Sequence, residues 1–243
     1  MTATALVASA RARPAVAGWY AVPQPVEHAV RRDGAMERRV EWLPFTVRVA
    51  HGPQDWQKAA AIRHAAYSRH LPPSVTEALR QPEPMDQAPG VAVLLAESKV
   101  DGSLLGTLRV QTNAHQPLAL EQSFALPDWM AGARCAEVTR LAMAQMEHSR
   151  VVKTVMLKAA FYWCQQQGVR FVLVTARAPL DRQYARLMFR DVYPELGFVP
   201  LPHVFNLPHR VMYNDIATAR DDGAEHPLYD FWFNTDHPDI VLD

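Results

Sequence analysis

Long apolar runs, net charge and cysteine are all scarce in this sequence. No apolar run approaches the roughly 20 residues that cross a bilayer, so we expect no membrane span. The 25 basic and 25 acidic residues cancel, and a chain without net charge lacks the long-range field that attracts nucleic acid. The two cysteines, Cys135 and Cys164, are too far apart for a CxxC redox or zinc motif. The alanine-rich first residues carry no basic region before their short apolar stretch, so we reject a signal peptide and expect a cytoplasmic protein.

Familiar catalytic and metal motifs are also missing. The sequence has no GxSxG nucleophile elbow, no HExxH zinc motif and no phosphate-binding P-loop. Its 10 histidines are scattered without the spacing of metal ligands. We therefore expect no metal site and no bound cofactor.

Hydrophobic periodicity predicts one large domain over residues 43–216. Residues 1–42 mix Ala, Pro and Arg without a helical or strand period, which indicates a flexible or loosely docked arm, and residues 217–243 read as a mostly irregular tail. Antiparallel hairpins are predicted in the first half of the domain and strand-helix-strand crossovers in the second half. This order favours an α/β (α+β) domain with a mixed twisted sheet and helices on both faces. The predicted strands are 45–50, 91–96, 104–110, 135–142, 169–176 and one or two within 203–216; the predicted helices begin at Pro53, Arg150 and Asp181 and end near 71, 167 and 197.

Four short motifs carry charged side chains on successive predicted elements. They are Arg63-His-Ala-Ala-Tyr67, Glu83-Pro-Met-Asp86, Gly106-Thr-Leu-Arg109 and Glu137-Val-Thr-Arg140. In order and spacing they resemble the signature of the autoinducer (acyl-homoserine lactone) synthases and the related long-chain N-acyl amino acid synthases. The likeness runs from about residue 45 to residue 198. It implies a GNAT-like N-acyltransferase fold and transfer of an acyl group to an amine.

The sequence departs from that signature in two ways. The acidic pair has Glu83 where autoinducer synthases usually have aspartate. Residues 143–153 contain no glycine, although a backbone loop that cradles the diphosphate of coenzyme A needs residues without side chains. The resemblance therefore implies an acyl-phosphopantetheine donor on an acyl carrier protein, with acyl-coenzyme A as the alternative.

Amide formation from a thioester requires a neutral amine, polarisation of the carbonyl and protonation of the departing thiolate. Glu137, in the middle of a core strand, is the candidate base, and the resemblance adds Arg140 and Arg109 as catalytic residues. A regular strand would place Glu137 and Thr139 on one face and Arg140 on the other, whereas a bulge would change this. The alternative is that these groups only form structural ion pairs.

The acceptor site is predicted around the same motifs. Arg63 and Tyr67 lie one helical turn apart and can face one cleft. Glu83 and Asp86 could meet the acceptor ammonium, and Arg109 or Arg140 its carboxylate. We place Thr139 with these substrate-binding residues. The ordinary alternatives are a solvated arginine, a half-buried tyrosine and solvated loop carboxylates.

A basic cluster of Arg150, Lys153 and Lys158 near the start of a predicted helix could bind the acidic face and phosphate of a carrier protein; an exposed helix face is the alternative. The function predicted from the sequence is transfer of a long-chain acyl group from acyl carrier protein to an amino acid or a derivative of one. A coenzyme A-dependent acetyltransferase, an acyl-homoserine lactone synthase and a catalytically silent carrier-binding module remain open.

Overall fold

The computed structural model describes residues 29–33, 36–147, 149–204 and 206–243. The strands are β1 Ala29–Asp33, β2 Met36–Val40, β3 Phe45–Val49, β4 Val91–Ser98, β5 Leu104–Thr112, β6 Cys135–Met143, β7 Phe171–Ala176, β8 Arg190–Asp191, β9 Val199–Leu201, β10 Leu207–Asp215, β11 Thr235–Asp236 and β12 Ile240–Val241. The α-helices are α1 Gly52–Tyr67, α2 Pro73–Thr76, α3 Ser149–Gln166, α4 Leu180–Ala185 and α5 Ala219–Asp222.

The main sheet runs in the order β12-β3-β4-β5-β6-β7-β10-β8, with β9 paired to β10. Strands β3 to β6 are antiparallel neighbours, β6 and β7 are parallel, and β7 and β10 are antiparallel. The hairpin predicted from the two apolar runs is present as β4 and β5. Gly102, in the turn between them, has a φ of 71°, a conformation that glycine adopts without steric cost. The mixed sheet predicted from the element order is confirmed.

Helices cover both faces of this sheet, as the sequence predicted. Leu94, Leu108 and Val138 point toward α3 and form the main core with it. Val93 and Leu95 point the other way and pack against Ala59 of α1. The alternation of side chains along each strand therefore divides the domain into an α3 face and an α1 face.

Two segments differ from the predicted boundaries. Residues 1–28 of the predicted arm lie outside the described residues, but β1 and β2 form a hairpin, and β2 pairs with β11. The tail was expected to be mostly irregular, yet Ile240 of β12 pairs with Val47 of β3 and extends the main sheet. Short strands of two residues carry too little periodicity for a sequence pattern to reveal them.

The helix predicted to start at Asp181 is much shorter than expected. It ends at Ala185, and Met188 takes a left-handed φ of 66°. The amide of Phe189 then returns to the carbonyl of Tyr184. The chain turns here into β8 because β8 pairs with β10, a tertiary contact that local sequence does not encode.

The long connection between β5 and β6 lies on the α1 face and is held by apolar side chains. Leu118, Leu120 and Met130 are buried against Cys135 and Phe171. This packing places the backbone of the connection directly over β6. Within the described part of the chain, no helix is both long enough and apolar enough to span a bilayer.

Candidate active site

A β-bulge in β6 shapes the centre of the candidate site. Arg109 of β5 pairs with Thr139, but Thr107 pairs with Ala142, so Arg140 and Leu141 together oppose a single residue of β5. Arg140 has a left-handed φ of 55°, and such a backbone costs about 1 kcal/mol or more for a residue that is not glycine. In a regular strand Arg140 would point to the opposite face from Glu137 and Thr139. The bulge instead turns Arg140 toward Glu83, the carboxylate that Arg109 also contacts.

Five charged side chains converge beside this bulge, which we call the arginine cluster: Arg63, Glu83, Asp86, Arg109 and Arg140. Nη1 of Arg63 donates to both oxygens of Asp86 at 2.8 and 2.7 Å. Arg140 donates to both oxygens of Glu83 at 2.7 Å. Nη1 of Arg109 bridges Glu83 and Asp86 at 3.2 and 3.3 Å. The sequence predicted all five as site residues, and the fold brings them together from α1, the loop before β4, β5 and β6.

The arginine cluster holds three guanidinium groups and two carboxylates, so it has one positive charge in excess. The side chains of Arg63 and Asp86 are 1% and 0% exposed. Burial works against the charge on Glu83, but the bonds and charges of Arg140, Arg109 and Arg63 outweigh it and lower its pKa to about 2. Nε and Nη2 of Arg63 are buried and have no hydrogen-bond partner among the described residues.

Two further predicted residues border the arginine cluster. Nε of Arg109 approaches Oγ1 of Thr139 at 3.3 Å. Burial raises the pKa of Tyr67, although the neighbouring Arg140 and Arg63 charges act in the opposite direction. Tyr67 is therefore a neutral hydroxyl beside the cluster.

Glu137 lies on the same face of β6 but outside the network of ion pairs. Its side chain is 0% exposed. One oxygen accepts the backbone N–H of Leu120 at 3.0 Å, and the other, Oε1, has no hydrogen-bond partner within the part of the chain that the structure describes. Burial raises the pKa of Glu137 to about 7, although the Leu120 amide and the charges of Arg109 and Arg140 oppose the increase. A carboxyl group with this pKa can both accept and release a proton near neutrality.

The model of the FeeM N-acyl amino acid synthase family matches residues 58–212. That range covers more than half of the chain and contains all four motifs. The chain belongs to this family. The resemblance read from the motifs is thereby confirmed, and the protein is an acyltransferase.

Solved structures support the fold of this FeeM-family chain. FeeM, an N-acyl amino acid synthase from uncultured soil microbes, is 16% identical with a TM-score of 0.61, over 77% of this chain and 97% of that one. TofI, in a ternary complex with an inhibitor and MTA, is 13% identical with a TM-score of 0.53, over 72% and 92%. A putative N-acetyltransferase from Lactobacillus plantarum is 15% identical with a TM-score of 0.50, over 72% and 99%. No curated protein matches the sequence. The GNAT-like fold expected from the motifs is confirmed.

In this FeeM-family acyltransferase the sheet opens between β6 and β7. Pairing ends at Val138 and Val174, while β6 continues to Met143 bonded to β5 alone. The side of β6 that faced β7 therefore has no strand partner beyond Val138 among the described residues. An apolar pocket adjoins the opening on the α3 face, with a free volume of about 30 Å³. Its lining includes Val138, Leu157, Phe161, Val172, Leu187 and Met188.

The basic cluster predicted on α3 is only partly present, and the prediction for Lys158 is wrong. Lys158 is 0% exposed. Its Nζ donates to the carbonyls of Phe231 and, at 2.6 Å, Thr235, so it anchors the C-terminal segment to α3. Lys153 is half-buried and bonds the side chain of Gln183, whereas Arg150 is exposed. The pattern of basic residues missed this because each turn of a helix also presents positions to the core.

One residue near Glu137 escaped the sequence analysis altogether. Nε2 of His203 lies 3.9 Å from Oε1 of Glu137. His203 is far from the four motifs in sequence and stands in a short turn after β9. Only the folded chain places it beside the carboxyl group.

Proposed function

We propose that this acyltransferase moves a long-chain fatty acyl group from an acyl carrier protein thioester to the amine of an amino acid or an amino-acid-derived acceptor. The proposal depends on one observation: a carboxyl group that can titrate near neutrality and a cluster with excess positive charge lie side by side on one face of the sheet. Glu137 is a buried carboxyl group with a free oxygen and a pKa of about 7, and beside it the arginine cluster has one positive charge in excess.

Glu137 supplies the base. An amino acid arrives mostly as an ammonium at neutral pH, and it attacks a thioester only after losing a proton. The ionised form of Glu137 can take that proton through Oε1, directly or through one water. The new C–N bond forms as the C–S bond breaks, and the thiolate leaves as a thiol after it gains a proton.

The arginine cluster supplies the site for a carboxylate on the acceptor. Its carboxylates are already engaged by arginines, so we assign the carboxylate of the acceptor, and not its ammonium, to this cluster. Arg63 keeps two buried donors that no described residue accepts. A carboxylate that accepts such donors would neutralise the excess charge and form charge-assisted bonds. An α-amino acid brings both this carboxylate and the amine.

The opening between β6 and β7 supplies the donor site. Unpaired backbone groups along one side of a strand can bond the amides of an extended ligand, as an added strand would. Phosphopantetheine has two such amides. The adjoining apolar pocket suits the acyl chain, but a long chain requires its lining to move, and the flexible Met188 and Leu187 side chains permit this. The absence of glycine in residues 143–153 favours a carrier protein over coenzyme A.

The test is an acyl-transfer assay with long-chain acyl carrier protein and a panel of amino acids, following release of the free carrier thiol. We expect turnover with at least one amino acid, and Glu137→Gln should slow it at least tenfold because the amide cannot accept the ammonium proton. Glu225→Gln, which changes an exposed glutamate away from the site, is the control. Unchanged turnover in Glu137→Gln would remove Glu137 from the mechanism.

The same assay separates the competing functions. Turnover of acyl-coenzyme A without a response to carrier protein would indicate a coenzyme A-dependent enzyme. A lactone product from a sulfonium nucleotide acceptor would indicate an autoinducer synthase. Carrier binding without turnover of any amine would indicate a silent binding module, and mass spectrometry of lipids from overproducing cells gives an independent reading of the product.

A further inference from the structure

A buried histidine faces the free oxygen of Glu137. His203 lies in the turn Pro202–Val204, and its side chain is 7% exposed. Its Nε2 is 3.9 Å from Oε1 of Glu137, and neither atom has a hydrogen-bond partner among the described residues. Gln111 of β5 pairs with Glu137 in register but directs its amide to the carbonyl of Pro117 at 2.8 Å. Among the described residues, the carboxyl oxygen and the imidazole nitrogen are thus the unbonded polar atoms that face each other.

The other side of the imidazole leads toward solvent. Nδ1 of His203 lies 2.8 Å from the hydroxyl of Ser123. Ser123 is partly exposed, in the connection between β5 and β6. A row of three groups thus runs from a carboxyl that has no contact with water, through an imidazole, to the hydroxyl of the partly exposed Ser123. Each group comes from a different segment of the chain.

The proposed acyl transfer requires an exit for a proton. The acceptor enters as an ammonium with three N–H protons, and the amide product keeps one of them. The departing thiolate takes the second and leaves as a thiol. The third proton has no place in the products, so one proton must leave the site in every turnover. Glu137 is 0% exposed and cannot release it directly to bulk water.

We propose that His203 receives this proton from Glu137 and passes it to solvent through the hydroxyl of Ser123. The inference rests on the proposed function, because Glu137 must first act as the base. A distance of 3.9 Å exceeds a hydrogen bond, so transfer requires an approach of about 1 Å or one bridging water. The short turn that carries His203 needs only a small movement to provide it.

The charged groups around the pair favour release of the proton. Arg109 and Arg140 act on Glu137, and Arg140 and His209 act on His203. Burial, His209 and Arg140 all lower the pKa of His203. The imidazolium is therefore a brief carrier of the proton and not a resting state, and Glu137 is restored to the ionised form that begins the next turnover.

The kinetic test uses His203→Ala, His203→Gln and Ser123→Ala in the acyl-transfer assay. We expect kcat to fall at least tenfold in both His203 variants and about threefold in Ser123→Ala, with the KM for the acceptor changed less than twofold. Added imidazole should restore at least part of kcat in His203→Ala, because a small base can replace the missing relay in the space left behind. His226→Ala, which removes a histidine outside this site, should lose no activity and gain none from imidazole.

A purely structural role for His203 would change unfolding and would not respond to imidazole. The relay is overturned if kcat of His203→Gln equals that of the parent, or if imidazole fails to restore His203→Ala while circular dichroism shows it folded. A covalent acyl group on Ser123, detected by mass spectrometry, would also overturn it, because Ser123 would then be a nucleophile.

A second measurement separates this inference from the proposed function. The imidazole of His203 is titrated by nuclear magnetic resonance in the parent and in Glu137→Gln, without substrate. We expect two coupled steps in the parent and one in Glu137→Gln. Identical titration of His203 in both proteins would exclude a shared proton. If the parent acylates no amine, the proposed function fails, and this titration alone decides whether the two groups exchange a proton.

Discussion

Two glutamates a short distance apart on the same face of the sheet have opposite acid-base properties. Glu83, in the arginine cluster, has a pKa of about 2, and Glu137, beneath the connection between β5 and β6, has a pKa of about 7. Burial by itself acts to raise the pKa of both carboxyl groups. What differs is that Glu83 receives two bonds from Arg140, whereas Glu137 receives one from a backbone amide. Direct pairing with a guanidinium thus fixes one carboxyl as an anion, and its absence leaves the other able to titrate near neutrality.

Arg109 shows how the fold keeps the two glutamates apart. Its Nη1 contacts Glu83 and Asp86. Its Nε approaches Thr139, which lies two residues after Glu137 on β6. The guanidinium is therefore directed toward the cluster, although its charge still acts on Glu137. Arg109 thus stabilises the Glu83 carboxylate by direct contact. Its charge also limits the rise in the pKa of Glu137 without touching that side chain.

The largest effect should come from removing a partner in the arginine cluster. Arg63→Met leaves Asp86, whose side chain is 0% exposed, without its main counter-charge. We expect a loss of about 3–5 kcal/mol in the free energy of unfolding. At pH 4.5, before Glu137 ionises in the unfolded chain to a large extent, Glu137→Gln removes no guanidinium partner and keeps an acceptor for the Leu120 amide, so it should change stability by less than about 1 kcal/mol. Urea denaturation measures both, and equal losses would contradict the distinction between paired and unpaired carboxyls.

The pH dependence of stability should have opposite signs for the two glutamates. The folded pKa of Glu83 lies below its usual 4.5, so its contribution is present above pH 4.5 and is lost as the pH falls toward 2. The folded pKa of Glu137 lies above 4.5, so its contribution is present below pH 4.5 and is lost as the pH rises through about 7. Each change amounts to about 3 kcal/mol at most.

Unfolding free energies measured from pH 2 to pH 8 test these signs. Glu83→Gln should flatten the rise between pH 2 and 4.5, and Glu137→Gln should flatten the fall between pH 4.5 and 7. A difference in stability between the parent and Glu137→Gln that stays constant from pH 4.5 to 7 would show that the pKa of Glu137 is not raised by folding.

Much of the arginine cluster could be predicted because its residues occur in short motifs at regular places on strands and helices. Alternation along β5 and β6 correctly put Arg109 and Glu137 on buried strands. Whether Arg140 joined them depended on a bulge, which needs one extra residue in the pairing with a neighbouring strand. Gly106 shows the same limit: Sδ of Met156 would lie 2.9 Å from an added Cβ, and this crowding is visible only after α3 packs on β5.

The parts of the site that sequence could not supply depend on contacts between distant segments. His203 meets Glu137 only because the turn after β9 folds over β6. Lys158 was read as a surface charge, but its Nζ bonds carbonyls of the C-terminal segment. Neither residue has a local pattern that separates it from the other histidines or lysines. The chemistry of a buried group is set by its neighbours, and these become known only with the fold.

The smallest effect concerns Arg150, which lies outside both the arginine cluster and the Glu137 site. It is the exposed member of the basic residues predicted to bind a carrier protein, and it lies in the first turn of α3. Arg150→Glu should weaken the affinity for acyl carrier protein about threefold to tenfold at low salt, because it reverses a charge facing an acidic partner. Stability should change by no more than about 0.5 kcal/mol, since exposed charges contribute little to folding.

Fluorescence anisotropy with labelled carrier protein across a salt series measures the affinity, and the difference between variant and parent should shrink as salt screens the charges. Arg186→Glu, a reversal at an exposed arginine outside α3, is the matched control. If both reversals weaken binding equally, the effect comes from net charge and Arg150 has no place in the carrier site.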